Sequence, residues 1–222
     1  MVPAMWPFAR KPEEYNRTRA LELASKARGK GDAKKAILEY QKILSHEPDN
    51  TEVHMRVAPL FAERGEFEPA LHSFRASAEG FIKKGFVDKA IAVYTQAAGF
   101  MPRVVPVWKE ISRLQLLQKR RAEAIRVLLQ GRAHFKARRD LPLAAELLQS
   151  VRQIESFHLD ASLDLARIHR TLGDRAKARE LLDALVPQVP PSELRRVRWS
   201  LFRLSPTPAA AWRWLRAVTK QR

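Results

Sequence analysis

Gly31-Asp32-Ala33-Lys34-Lys35-Ala36-Ile37-Leu38-Glu39-Tyr40 is the stretch on which the fold turns. It opens with a turn, places an alanine five residues on and an aromatic nine residues on. The same order returns at Gly65-Glu66, Ala70, Phe74; at Gly85, Ala90, Tyr94; and at Gly173-Asp174, Ala178, Leu182. Looser copies start at Lys119 (Ala124, Leu128), Arg139 (Ala144, Leu148) and Ser205 (Ala210, Trp214). Two helices joined by a tight turn approach closely only where one presents a small side chain, and the large residue one turn later fills the space beside it. One hairpin cannot bury both of its faces, so hairpins stack on one another as a helical repeat array.

The turn starts fall at 31, 65, 85, 119, 139, 173 and 205, with separations of 34, 20, 34, 20, 34 and 32. The segment 51–102 therefore matches 105–156 at an offset of 54 residues. Val53-His54 aligns with Val107-Trp108, Phe81 with Phe135, and Ile91 with Ala145. This spacing implies a three-helix unit used twice, whose middle helix serves the pair before it and the pair after it.

Between the turns apolar residues recur at helical spacing, and no stretch alternates as a strand does. Thr51, Ser192 and Thr207 are the expected caps of the helices that follow them, with Pro208 in a first turn that tolerates it. Pro48, Pro102 and Pro190-Pro191 mark stops. The pattern predicts twelve helices over 12–29, 33–46, 51–64, 67–84, 87–100, 104–118, 121–137, 141–155, 159–171, 175–187, 192–203 and 207–219.

The chain has 222 residues and no cysteine, which excludes disulfides and thiolate metal sites. No apolar run reaches the roughly 20 residues a bilayer span needs. The start, through Trp6-Pro7-Phe8, lacks a secretory pattern and reads as a flexible tail over 1–11. A cytoplasmic location is the expectation. The formal charge is +17, and it is uneven. Residues 1–100 carry 16 basic and 13 acidic side chains, and residues 101–222 carry 25 and 11, balances of +3 and +14. Such a field attracts anionic partners, although solvated surface charge is the plainer explanation.

Leu23, Ala24, Ala27, Gly31, Ala36, Tyr40 and Pro48 within 17–50, and Leu165, Ala166, Gly173, Ala178, Leu182 and Pro190 within 159–190, resemble the signature of the tetratricopeptide repeat family. A copy over 105–138 keeps the signature tryptophan as Trp108 and has Lys119 in place of the turn glycine. Counting degenerate copies, the resemblance covers about nine-tenths of the chain. It implies an all-α fold: a right-handed solenoid of about twelve antiparallel helices, whose concave groove grips a peptide or another protein. On this basis residues 12–222 form a single repeat domain, closed by basic capping helices over 192–219. The 20-residue separations depart from the family's regular 34, and the family's lysine–asparagine clamp for chaperone tails is absent.

No catalytic constellation is legible. Gly29-Lys30-Gly31 lacks the rest of a phosphate loop, and no His-Glu-x-x-His or Gly-x-Ser-x-Gly occurs. Asp160 and Asp164 read as helix-start carboxylates favoured by the dipole rather than as half a metal site. The chain is expected to be no enzyme, and to use no cofactor or metal.

The expected groove is basic with apolar gaps. Its candidate partner-binding residues are Arg75, Lys109, Arg113, Arg126, Lys136, Arg167, Arg170, Arg195 and Trp199, to which Trp212 adds an exposed indole. Arginine forks grip carboxylates in pairs of hydrogen bonds, so an acidic, partly hydrophobic peptide or protein segment is the expected ligand. Trp212 and Trp214 lie two apart and cannot share one helix face. Trp214 takes the core place, which leaves Trp212 for docking or self-association through the C-terminal helices. The function expected is a non-catalytic scaffold or adaptor, with a bacterial surface or motility assembly as a guess from the family's usual employment. The alternative is an RNA- or DNA-binding repeat protein using the basic half.

Overall fold

At Gly31, Gly65, Gly85 and Gly173 the backbone passes through the left-handed region, with φ of 75°, 76°, 79° and 94°. Lys119 joins them at φ 60°, where the repeat register has lost its glycine. Four of these turns share one hydrogen bond. Asp32 N donates to Ala27 O at 2.9 Å, Glu66 N to Phe61 O at 2.9 Å, Arg120 N to Gln115 O at 2.9 Å and Asp174 N to His169 O at 2.9 Å. These bonds satisfy carbonyls that a helix end leaves open. Asp32 and Asp174 then cap the following helix, each accepting from a backbone N–H three residues on at 3.0 Å.

The computed structural model describes residues 15–219. The expected tail over 1–11 lies outside them. Among the described residues there are twelve α-helices and no strand: α1 (Arg17–Gly29), α2 (Ala33–His46), α3 (Thr51–Glu63), α4 (Phe67–Lys83), α5 (Val87–Phe100), α6 (Val105–Leu117), α7 (Arg121–Arg132), α8 (Leu141–Ile154), α9 (Leu159–Leu172), α10 (Arg175–Leu185), α11 (Pro191–Leu204) and α12 (Pro208–Thr219).

Most boundaries fall within one residue of the sequence pattern, although Asn50 rather than Thr51 caps α3 and Ser192 lies inside α11; three boundaries differ by more. The first helix starts at Arg17 rather than 12, because Asn16 caps it by accepting from Arg19 N at 3.0 Å. The seventh stops at Arg132 rather than 137. There the chain tightens to three-residue hydrogen bonds (Ala133 to Gln130, His134 to Gly131, Phe135 to Arg132), which bury Phe135 completely. A 3₁₀ turn over Arg138–Asp140, absent from the expected pattern, then leads into α8. The tenth helix ends at Leu185 rather than 187.

The chain divides between Gly85 and Phe86 into two compact units. In the first, α1 to α4 each pack on the next. Ala24, Ala36, Tyr40, Ile43, Val57, Ala70 and Phe74 form its core and are all fully buried. In the second, α5 through α8 and α8 through α12 likewise pack in chain order. Here α7 lies against both α6 and α8, as a shared middle helix should, and α9 also reaches α11.

Six of the seven register alanines (Ala36, Ala70, Ala90, Ala124, Ala144, Ala178) have no exposed surface. Tyr40, Phe74, Tyr94, Leu128, Leu148 and Leu182 beside them are buried as well. Burying a large apolar side chain stabilises by about 1.5–3 kcal/mol, so this repeated pair supplies much of the packing energy. The seventh pair departs: Ala210 and Trp214, in the last helix, are only partly buried.

Candidate functional site

Two cavities of the second unit are lined by basic side chains that the sequence singled out. The first, about 510 Å³, lies among α6, α7 and α8. Lys109, Arg113 and Leu116 reach it from α6, Arg121 and Leu128 from α7, and Ser150, Gln153 and Ile154 from α8. Helical spacing puts Lys109, Arg113 and Leu116 on one face, because residues three or four apart lie above one another. Both cations are engaged. Lys109 donates to Glu146 on α8 at 2.7 Å, and Arg113 forks onto Glu110, one turn back, at 2.8 and 2.9 Å. Arg121 hydrogen-bonds the Ile154 carbonyl. Leu116 remains exposed at the rim, an apolar gap between charges.

The second cavity, about 300 Å³, lies among α9, α10 and α11. Arg167 and Arg170 enter from α9, Arg196 and Arg203 from α11, and Asp160 and Asp164 share the wall. Leu163, Leu182 and Leu204 supply its apolar surface.

Here the charges sort into two kinds. Asp164 is held by Arg132 of α7, whose guanidinium forks onto both carboxylate oxygens, and by Arg167 at 2.6 Å. Arg196 bridges Asp160 and Glu193, the latter at 3.0 Å. These two bonds hold the Arg196 guanidinium charge above the ordinary arginine range. Arg170 moves the other way. Burial lowers it first, and the positive charges of Arg203, Arg167 and Arg175 lower it further. Asp160 and Asp164 are therefore arginine acceptors across helices, a role the dipole reading of the sequence missed. Their signal was the i, i+4 spacing that puts both on one face of α9.

The other candidate residues stand apart from these cavities. Arg75 is exposed on α4 of the first unit. Arg126 is exposed on α7, and Lys136 is exposed beyond the end of that helix, so it belongs to no helix face. Arg195 is exposed on α11, but its neighbour Arg196 is the one that lines the second cavity. Arg196 and Arg203 are absent from the set read from the sequence; only the position of α11 against α9 reveals them.

Trp199 is 42% exposed and stacks on Phe202 with ring centroids 5.5 Å apart. Trp214 tilts against Trp199 at 5.1 Å, so it packs on a neighbouring helix without reaching the core. Trp212 is 61% exposed. Arg198 donates to the Arg213 carbonyl at 2.9 Å and ties the last two helices together. Among the described residues no three His, Asp or Glu side chains stand close enough to hold a metal. No described helix is long and apolar enough to cross a membrane.

The family model for the tetratricopeptide repeat matches residues 135–198, which run from Phe135 through α8, α9 and α10 into α11. Solved structures resemble the chain at low identity. A crystal structure of MamA is 16% identical, covering 90% of this chain and 94% of that one, with a TM-score of 0.34. A tetratricopeptide repeat protein from Parabacteroides merdae is 13% identical over 91% of this chain and 98% of its own, with a TM-score of 0.28. The human IFIT1 dimer with PPP-AAAA is 20% identical over 93% of this chain and only 52% of that one, with a TM-score of 0.37. No curated protein matches the chain.

Proposed function

Since the chain belongs to the tetratricopeptide repeat family, we propose that it is a non-catalytic scaffold that holds an acidic, partly hydrophobic segment of another protein. Repeat arrays of this family serve protein–protein interaction, and that coarse function is the premise. The observation that supports the finer reading is the pairing of cations with apolar gaps in the second unit. Lys109, Arg113 and Leu116 share one cavity, and Arg167 and Arg170 share another with Leu163 and Leu204. A segment carrying alternate acidic and leucine side chains would set carboxylates on the first kind of residue and methyl groups on the second.

Arg113 and Arg167 already have carboxylate partners one turn back. A ligand must then exchange one solvated ion pair for another, each worth about 0–1 kcal/mol, so affinity comes from many small terms. Titration of a labelled acidic, leucine-containing peptide at rising salt tests the proposal. Affinity should fall with salt, and should drop by about tenfold when Lys109 and Arg113 are both changed to Glu. Salt-independent binding, or binding indifferent to that double reversal, refutes it. A generic RNA oligonucleotide that binds more tightly than the peptide at physiological salt also refutes it.

A further inference from the structure

The cavity among α9, α10 and α11 holds more positive charge than its own carboxylates can use. Two of its four arginines, Arg167 and Arg196, are engaged by Asp164 and Asp160. The other two, Arg170 and Arg203, have no carboxylate partner among the described residues. Counting the six ionised groups on the wall, four guanidiniums against two carboxylates, the balance is +2. Bringing in Arg132, which shares Asp164, and Glu193, which shares Arg196, leaves that balance unchanged.

Like charges brought together in a partly desolvated site repel, and folding alone gives Arg170 and Arg203 no relief. The direction of the Arg170 shift agrees, since Arg203 is the largest charge that disfavours its protonated form after burial itself. A ligand of charge −1 would leave half of the excess. A phosphoryl group carries about −1.5 to −2 at neutral pH and three strong acceptor oxygens, enough for two arginine forks. At about 300 Å³ the cavity has room for a phosphoryl group and the side chain that bears it.

We infer that this cavity is an oxyanion subsite, in which Arg170 and Arg203 clasp a phosphoryl group on the bound protein segment while the partly exposed Leu163 receives its apolar neighbour. The inference rests on the scaffold reading, and makes phosphorylation of the partner the event that the second unit senses. Asp160 and Asp164 keep Arg196 and Arg167 turned to the wall, so the two unclaimed guanidiniums set the specificity.

The experiment is a titration of the full chain with inorganic phosphate at constant ionic strength, read on the arginine Nε–Hε resonances. Phosphate should give a saturable response at Arg170 and Arg203. Arg203→Gln and Arg170→Gln should each weaken it by about tenfold or more, and Arg28→Gln, at an exposed position on α1, should not. Arg203 is exposed, so its variant tests the site even if Arg170→Gln perturbs folding. Acetate should bind more weakly than phosphate.

The peptide used to test the scaffold reading, remade with one glutamate as phosphoserine, should bind about tenfold more tightly than its parent, and this gain should vanish in Arg203→Gln. An unsaturable response spread over all arginines, equal binding of acetate, or loss of the response in Arg28→Gln overturns the inference. So does an RNA oligonucleotide that displaces phosphate from Arg203 better than the phosphopeptide does. If the parent peptide binds through Lys109 and Arg113 with no preference for phosphoserine, the subsite fails and the scaffold stands. If phosphate saturates Arg170 and Arg203 but neither peptide binds, the scaffold fails and the anion site stands.

Discussion

In the first unit the His54 ring nitrogen Nε2 hydrogen-bonds the Pro48 carbonyl at 2.7 Å; in the second, Trp108 Nε1 donates to the Pro102 carbonyl at 3.0 Å. Both residue pairs are offset by 54 positions, the period read from the turns. A carbonyl only accepts, so both rings present an N–H, and that donor is what the two sites share. The bulk differs, and the facing helix adjusts to it. At the position equivalent to the buried Ser77 of α4, α7 carries Gly131. A Cβ built on Gly131 would lie 2.5 Å from the Trp108 ring. The larger indole thus occupies the volume of a side chain removed from the next helix. The turns diverge too: Gly65 has φ 76°, and its counterpart Lys119 holds φ 60° with a Cβ. Gly85 corresponds to Arg139, where the second unit replaces a left-handed turn by the 3₁₀ turn over Arg138–Asp140.

The comparison is most directly broken at Trp108. Trp108→Ala should cost about 3–5 kcal/mol in chemical denaturation, since a buried indole leaves a cavity that its neighbours fill only in part. His54→Ala should cost less, about 1–3 kcal/mol, from a smaller ring and one lost hydrogen bond. Equal losses would show that the donor matters and the bulk does not.

Next comes the coupled pair. Gly131→Ser in the presence of Trp108 should destabilise by about 1–3 kcal/mol through overpacking. Combined with Trp108→His it rebuilds the chemistry of the first copy, and the double variant should recover about 0.5–3 kcal/mol relative to the sum of the singles. Strict additivity in that cycle would dissolve the link between the two positions. The smallest effect belongs to the turns. Lys119→Gly should stabilise by about 1 kcal/mol, the cost of a Cβ in the left-handed region, and Gly65→Lys should lose a similar amount. Thermal unfolding of both variants compares the two turns directly.

Much of this is legible in the amino-acid sequence. The turn glycines and the alanine five residues later are local features, and backbone geometry reads them the same way at Gly31, Gly65, Gly85 and Gly173. Register alone marks Lys119 as a turn residue, and its positive φ agrees. Helix ends were less legible. The stop at Arg132 depends on Phe135 finding a buried place, which the helical period does not express. Among the candidate site residues, Lys109, Arg113, Arg167 and Arg170 line cavities because they lie on one face of α6 or α9, as their spacing implied. Helical spacing points to Arg195, yet Arg196 lines the cavity, because a helical wheel cannot tell which of two adjacent arginines faces a helix some thirty residues away in the chain. Lys136 was assigned to a helix that ends before it. Trp214 was assigned to the core by register, yet Ala210 and Trp214 are only partly covered.

The order of helices, their turns and the burial of small residues at their crossings follow from the amino-acid sequence by itself, because each depends on neighbours within about ten positions. Which arginines are spoken for was decided only by tertiary packing. Arg132 meets Asp164, and Arg196 meets Asp160, across 32 and 36 residues, while Arg170 and Arg203 converge with no acid between them. An ion pair depends on distance in space, and the charge left over in a cavity is known only when every partner has been placed.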